Sequence, residues 1–176
     1  MATAQPVRLF DDNFLKVLPS PLREPRRAWL AIPIAWLLSF LGSVALAALV
    51  SWLAPNAQSI DIPKLPAWLI ILAFAVFSPV IESILMGLGL KLLLRWLSPA
   101  TAILVSAACW GIFHSLQIPV WGLAIWWPFL IFSTLFVVWQ QRGFWTGVWV
   151  AAAAHCLQNL GPSLVMAFPQ LFHGAG

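Results

Sequence analysis

The sequence predicts an all-α integral membrane protein, built as a polytopic bundle of about five transmembrane helices. Of its 176 residues, 62% are hydrophobic and only 8% are charged, whereas a soluble domain has about 25% charged residues. Its apolar runs are long and continuous, and a spanning helix needs about 20 mostly apolar residues. Only helices and closed barrels satisfy their backbone groups in lipid, and barrel strands alternate in polarity instead. The predicted solvent is therefore a bilayer, and the predicted fold is a helical bundle.

Five apolar runs define the predicted spans, at about 28–54, 67–97, 99–118, 120–139 and 144–168. As one straight helix, the second run would measure about 46 Å, which exceeds the hydrocarbon core of about 30 Å. Pro79 lies within this run and lacks a backbone donor, so we expect a kink or break between 68–78 and 80–97. Residues 28–176 are predicted to form one transmembrane domain.

Residues 1–27 precede the first span and are predicted to lie in the cytosol. Five apolar residues are spaced close to one helical face, which predicts a short interfacial amphipathic helix ended by Pro19 and Pro21: Leu9, Phe10, Phe14, Val17 and Leu18. The first apolar run begins near residue 28 and lacks a small-residue cleavage site, so we expect no cleavable signal peptide.

The basic residues predict the orientation of the chain in a cell membrane. Eight of the nine fall on one side of the five spans, and only Lys64 falls on the other: Arg8, Lys16, Arg23, Arg26, Arg27, Lys91, Arg95 and Arg142. Under the positive-inside rule, this bias predicts an N-in, C-out topology. The net charge of +4 is therefore attributed to topology and lipid headgroups, not to nucleic-acid binding. Four tryptophans near span ends suit an aromatic belt: Trp68, Trp121, Trp126 and Trp145.

Four polar residues lie inside the apolar runs: Glu82, His114, His155 and Asn159. A carboxylate near the bilayer centre costs at least about 2.5 kcal/mol, so such residues usually face the bundle interior and mark functional sites. A hydrogen-bond network that only holds helices together is the simpler alternative. On the last span, a four-residue repeat of small residues leads into this set, and it predicts one helix face that packs closely: Gly143, Gly147, Ala151, His155 and Asn159.

These residue types suit peptide hydrolysis. A carboxylate and an imidazole can hold and deprotonate a water, while a second imidazole and a carboxamide can stabilise an oxyanion. The same two histidines and Glu82 would also suit a Zn site. Spacing does not decide between these uses, because the chain contains no HExxH motif. No other cofactor is expected.

The order of these residues resembles the CPBP family, the CAAX prenyl protease and bacteriocin-processing group of intramembrane endopeptidases. The family has three motifs: EExxxR after a proline, FxxxH, and HxxxN. They correspond here to Glu82–Met86 after Pro79, to Trp110–His114, and to His155–Asn159, and an Arg142-Gly143 pair precedes the last helix. The resemblance covers about 75–160. Ser83 stands at the second glutamate, Met86 at the arginine and Trp110 at the phenylalanine.

The resemblance implies a glutamic-type protease that uses no metal. By it, Glu82 and His114 activate water, and His155 and Asn159 stabilise the oxyanion. The implied substrate is a membrane-anchored or exported protein, processed at a C-terminal tail or sorting signal. Because the family's second glutamate and arginine would form a supporting ion pair, we expect the absence of both to affect support more than chemistry.

Two rival functions are open at the level of the sequence. One is a cysteine-type sorting transpeptidase, which would use Cys109 or Cys156 with a histidine and Arg142. The other is not an enzyme: a transporter, or a scaffold that keeps the family fold without catalysis. The N-in topology would place His114 late in an outward-running span, so we expect the site in the middle or outer leaflet.

Overall fold

The computed structural model describes residues 9–55 and 65–172, and within these ranges it contains helices and no strand. Five long helices form the bundle: α1 Ala28–Leu53, α2 Ala67–Leu93, α3 Pro99–Ser115, α4 Gly122–Trp139 and α5 Phe144–Ala167. Each coincides with one of the five predicted apolar runs, which confirms the all-α helical membrane bundle.

The five helices differ in how well their length and composition suit a membrane span. In the described part of the chain, three are long and apolar enough to cross a bilayer: Ala28–Leu53, Ala67–Leu93 and Gly122–Arg142. Pro99–Ser115 is apolar but has 17 residues, two to three fewer than a typical span. Phe144–Ala167 has 24 residues and is long enough, but His155, Gln158 and Asn159 lower its hydropathy.

The helix ends follow local sequence signals. At the start of α3, the Ser98 hydroxyl accepts a hydrogen bond from the Thr101 N–H at 3.3 Å, and Pro99 occupies the first helical position, where a missing N–H costs nothing. Between α4 and α5, Gly143 has a φ of 126°, which a residue without a Cβ adopts readily. Gly143 therefore turns the chain into α5.

Helix α4 is the centre of the bundle. It packs against α1, α2, α3 and α5, and its last two thirds, from Pro128 to Trp139, are buried throughout. Its two hydroxyl side chains are paired: the hydroxyls of Ser133 and Ser106 are 3.0 Å apart, and Thr134 donates to the Leu130 carbonyl. The other helices expose leucine-rich faces, including Leu41, Leu85 and Leu88. Burial of α4 and exposure of apolar outer faces fit a bundle solvated by lipid.

A glycine contact ties the end of α3 to the start of α4. The Gly122 N–H donates to the Ser115 hydroxyl at 3.1 Å. A Cβ placed on Gly122 would overlap the Gly111 carbonyl oxygen and the Ser115 hydroxyl. This close approach fixes the position of His114, one residue before Ser115.

Replacing Gly122 by alanine is expected to lower the free energy of unfolding by about 1–3 kcal/mol, because the new methyl group would overlap backbone atoms that cannot rotate away. The change is measured as the thermal unfolding midpoint in lipid nanodiscs. Gly89→Ala is the matched control, since a Cβ there meets nothing within 4 Å and alanine favours a helix. Equal stability of the two variants would contradict the close contact.

Of the kink or break predicted at Pro79, the structure excludes the break. Helix α2 runs without interruption from Ala67 to Leu93, and the irregularity lies just before the proline, in a π-helical turn at Leu72–Phe77. In this turn the Ser78 N–H donates to the Ala73 carbonyl, five residues back. The wider turn accommodates the missing donor of Pro79 within a continuous helix.

The N-terminal segment forms two short helical turns, Phe14–Val17 and Ser20–Arg23, in place of one continuous helix. Asn13 caps the first turn by accepting from the Leu15 N–H at 3.0 Å. The second turn packs against α1 and α4. Of the predicted apolar face, Phe14 and Val17 are exposed, whereas Phe10 and Leu18 are buried together with two further leucines, Leu15 and Leu22. An interfacial position for this segment stays a prediction.

The described basic residues lie at one end of the bundle, which we call the basic end: it comprises the starts of α1, α3 and α5 and the ends of α2 and α4. Three arginines precede α1, Lys91 and Arg95 lie at the end of α2, and Arg142 lies between α4 and α5. The Lys91 ammonium is 5.6 Å from the centroid of the Phe144 ring, which brings the end of α2 to the start of α5. Arg8 and Lys64 lie outside the described residues.

Exposed tryptophans mark both ends of the bundle: Trp29, Trp96 and Trp145 at the basic end, and Trp52 and Trp68 at the opposite end. Two exposed tryptophan bands are typical of membrane–water interfaces. Trp121 and Trp126 are half-buried instead: Trp121 contacts His114, and Trp126 packs against the core and Gly111. A place for these two residues in the belt stays a prediction.

Candidate active site

A cavity of about 950 Å³ lies between the five helices, and all four predicted site residues line it. It occupies the half of the bundle away from the basic end, since its walls come from residues 40–47 of α1, 109–117 of α3 and 155–166 of α5. Most of its lining is aromatic or aliphatic. An apolar cavity with a few converging polar groups is typical of a binding or catalytic site.

Glu82 lies on α2, one turn after the π-helical turn. Its carboxylate accepts a hydrogen bond from the Ser78 hydroxyl through Oε1. The other oxygen, Oε2, is 3.9 Å from Nε2 of His155, which is longer than a direct hydrogen bond. The side chain is 19% exposed and lines the cavity. One oxygen of Glu82 is thus held by its own helix, while the other faces His155.

His155 is buried in α5, with only 3% of its surface exposed. Its ring stacks on Phe132 at a centroid distance of 4.5 Å and meets the edge of Phe129 at 5.2 Å. Nδ1 lies 3.5 Å from the Ser83 hydroxyl. A carboxylate only accepts hydrogen bonds, so the neighbouring Glu82 favours a proton on Nε2. Nδ1 then accepts from Ser83, and His155 presents an N–H donor.

His114, near the end of α3, has the opposite arrangement. Its Nδ1 is 2.8 Å from the Trp110 carbonyl oxygen, and a carbonyl only accepts, so Nδ1 carries the proton. The neutral ring therefore keeps an unprotonated Nε2. Trp121 and Phe129 hold the ring at centroid distances of 5.4 and 5.5 Å. His114 can thus accept a proton, whereas His155 can donate a hydrogen bond.

Asn159 lies one turn after His155, on the same face of α5. Its Nδ2 donates to the Phe74 carbonyl oxygen at 3.2 Å, and both residues line the cavity. The predicted stripe on α5 also packs as expected: a Cβ on Gly147 would lie 3.0 Å from the Phe136 carbonyl oxygen of α4. The small residues of α5 thus bring its polar end against α2 and α4.

Comparison with known proteins adds one match. Residues 64–161, more than half of the chain, match the family described as type II CAAX prenyl endopeptidase Rce1-like. The chain belongs to this Rce1-like family. It is therefore a membrane protein of a family of CAAX-type intramembrane endopeptidases, as the CPBP resemblance predicted. No curated protein matches the chain, and no solved structure matches it.

The departures from the CPBP motifs lie inside this Rce1-like core. Ser83 is fully buried, and Met86 is 2% exposed. A glutamate and an arginine in these places would have to pair, because a single buried charge costs several kcal/mol. Their joint replacement by a hydroxyl and a thioether leaves no uncompensated charge. Ser83 instead lies against His155.

Among the polar residues of the cavity region that the sequence analysis did not select as site residues, Ser78 and Ser83 contact the predicted site, and Gln158 binds a neighbouring helix. Gln158 lines the cavity, and its Oε1 is 2.9 Å from the Ser39 hydroxyl of α1. Gln158 could have been selected by the same argument as Asn159, because a carboxamide inside lipid needs hydrogen-bond partners in both cases. Ser78 could have been found from its position four residues before Glu82, on the same helix face.

The structure also shows where the cysteines and the possible metal-binding side chains of this Rce1-like chain lie. Cys109 is exposed in the cavity, whereas Cys156 is half-buried and is absent from the cavity lining. Arg142 lies at the basic end of the bundle and does not line the cavity. Within the described ranges, no group of three His, Cys, Asp or Glu side chains is arranged to hold a metal ion. The absence of a metal from the reaction stays a prediction.

Proposed function

We propose that this chain is a glutamic-type intramembrane endopeptidase that hydrolyses a peptide bond of a membrane-anchored or exported protein. The observation that carries the proposal is the pairing of two histidines with opposite hydrogen-bonding roles in one cavity with Glu82. His114 keeps a free Nε2 because the Trp110 carbonyl holds its Nδ1 proton. His155 presents Nε2–H toward Glu82 and receives the Ser83 hydroxyl at Nδ1. One histidine suits a base, and the other suits an oxyanion donor.

The proposed reaction uses these groups in sequence. A water held between Glu82 and His114 loses a proton to the Glu82 carboxylate while its oxygen bonds to the substrate carbonyl carbon. The carbonyl oxygen becomes negative and accepts hydrogen bonds from Nε2–H of His155 and an amide N–H of Asn159. Glu82 then returns the proton to the leaving nitrogen as the C–N bond breaks. The products are a carboxylic acid and an amine, and no metal takes part.

The proposed setting is a multi-pass protein of the cell membrane, with the N-terminus in the cytosol. The basic end then faces the cytosol under the positive-inside rule, and the cavity lies in the half of the bundle away from it. The substrate bond would thus be cut in the middle or outer leaflet. The apolar lining suits a hydrophobic segment or tail next to that bond.

Cleavage by the purified chain in proteoliposomes tests the function. Membrane-anchored peptides with different C-terminal tails, lipidated and not, are offered, and the products are identified by mass spectrometry. We expect one peptide bond to be cut, with water oxygen from H₂¹⁸O in the new carboxylate. A chelator such as EDTA should leave the rate unchanged. Loss of activity with chelator would favour zinc.

The rival functions are separated in the same assay. Cys109→Ser should cut at nearly the wild-type rate, since the proposed reaction makes no use of the thiol. If this variant were inactive and wild type formed a covalent thioester with its substrate, the cysteine-type transpeptidase would replace the proposal. A folded wild-type chain that cut none of the peptides and no co-expressed membrane protein would indicate the inactive scaffold.

A further inference from the structure

The π-helical turn of α2 leaves one backbone carbonyl of the cavity wall without its helical donor. In a regular α-helix the Phe74 oxygen would accept from the Ser78 N–H, but this N–H donates to Ala73. The continued π pattern would supply the donor at the next residue, which is Pro79 and has no N–H. Both donors that a helix could offer to Phe74 are therefore removed, one by the wider turn and one by the proline.

Asn159 of α5 supplies the hydrogen-bond donor that the Phe74 carbonyl lacks. Its Nδ2 lies 3.2 Å from the Phe74 oxygen, across the interface between α2 and α5. A buried carbonyl without a donor is costly, so this bond satisfies a group that the helix itself cannot satisfy. A carboxamide has two N–H groups. When one is held by Phe74, the amide can no longer rotate freely, and its second N–H has a set direction.

We propose that the π-helical turn and Pro79 form a positioning device for Asn159: the released Phe74 carbonyl holds one amide N–H so that the other points into the cavity beside His155. Glu82 lies three residues after Pro79 on the same helix, and His155 lies one turn before Asn159 on α5. The device therefore joins the two helices that carry the acid–base group and the oxyanion donors. Phe74 and Pro79 act only through Asn159. The catalytic part of this inference rests on the proposed function.

Pro79→Ala tests the device. An alanine amide at this position supplies the missing donor five residues after Phe74, so the helix competes with Asn159 for the carbonyl. We expect kcat for peptide cleavage to fall about 10-fold or more, because a misplaced donor stabilises the oxyanion poorly, while KM stays nearly unchanged. Pro33→Ala is the matched control, since Pro33 lies inside α1 and away from the cavity.

A double-mutant cycle separates this effect from a shift of Glu82. In the Asn159→Ala background, Pro79→Ala should cause no further loss of kcat, because the group that it misplaces is already gone. An equal loss in both backgrounds would overturn the proposal, and so would a folded Pro79→Ala variant with wild-type kcat. The first result would indicate that the proline positions Glu82 directly.

A spectroscopic measurement decides the positioning without any activity. The chain has three asparagines, Asn13, Asn56 and Asn159, so ¹⁵N-asparagine labelling gives few side-chain signals, and Asn159→Ala identifies the relevant pair. In wild type, one Asn159 N–H should exchange with solvent at least about tenfold more slowly than the other, and Pro79→Ala should reduce the difference. Equal exchange in wild type would overturn the device even if the protein cleaves peptides. An inactive wild type with one protected N–H would overturn only the proposed function.

Discussion

Glu82→Gln is expected to lower kcat for peptide cleavage by about 10³-fold, within the range that general acid–base groups contribute. The glutamine side chain keeps the size of Glu82 and can still accept from the Ser78 hydroxyl, but it cannot take a proton from water. His114 is proposed to hold this water without taking its proton, so the variant lacks the acid–base group of the reaction. KM should change little, since the substituted group is proposed to act on water. Initial rates against substrate concentration in proteoliposomes measure both constants.

Glu24→Gln is the matched control, because the chain has only two glutamates. Glu24 lies in the N-terminal segment with Arg26 at 3.1 Å and is absent from the cavity lining. This variant should keep the wild-type rate. Glu82→Gln with a normal unfolding midpoint and undiminished kcat would refute a glutamate mechanism for this chain.

His155→Phe is expected to lower kcat by about 10²- to 10³-fold, the loss typical of removing one oxyanion donor. Phenylalanine fills nearly the same volume and keeps the stacking on Phe132, which lies 4.5 Å from the present ring. The substitution removes both nitrogens and with them the Nε2–H donor. The fold should survive, because no cavity is created and the Ser83 hydroxyl loses only a long contact. Stability by thermal unfolding and kcat are measured on the same preparation.

Two further variants define the role of His155. Cys156→Ser changes the next residue along α5, which does not line the cavity, and should leave kcat unchanged. Ser83→Ala removes the hydroxyl that lies 3.5 Å from Nδ1 and should lower kcat less than His155→Phe does. A fully active His155→Phe variant would show that the oxyanion site lies elsewhere, and it would remove the distinction proposed between the two histidines.

The positions of the helices follow from the sequence, because hydropathy is a property of each segment and the bilayer requires continuous apolar helices. The five runs matched five helices, and the small residues Gly147 and Ala151 of α5 lie buried as their spacing predicted. The irregularity of α2 next to Pro79 takes a form, a π-helical turn, that the sequence did not predict. A proline in the sequence shows that a backbone N–H donor is missing. Whether the helix breaks there or widens into a π turn depends on its packing against neighbouring helices.

The tryptophans show a similar limit of prediction from sequence. Trp68 and Trp145 are exposed at the bundle ends, but Trp121 and Trp126 turn inward. Their distance from a span end is visible in the sequence. Their contacts with His114 and Gly111 lie across the junction of α3 and α4, which no local pattern contains.

For the candidate site, the sequence by itself determined which polar residues have a high free-energy cost in lipid, and so it selected Glu82, His114, His155 and Asn159. It also determined the family, through motifs spread over three helices. Tertiary structure alone decided that these residues line one cavity and which atoms face one another. The proton on Nε2 of His155 depends on Glu82 of α2, and the Asn159 amide depends on an oxygen of the same helix. Hydrogen-bond roles are set by partners brought together in space, and the cost of burial only shows that such partners must exist.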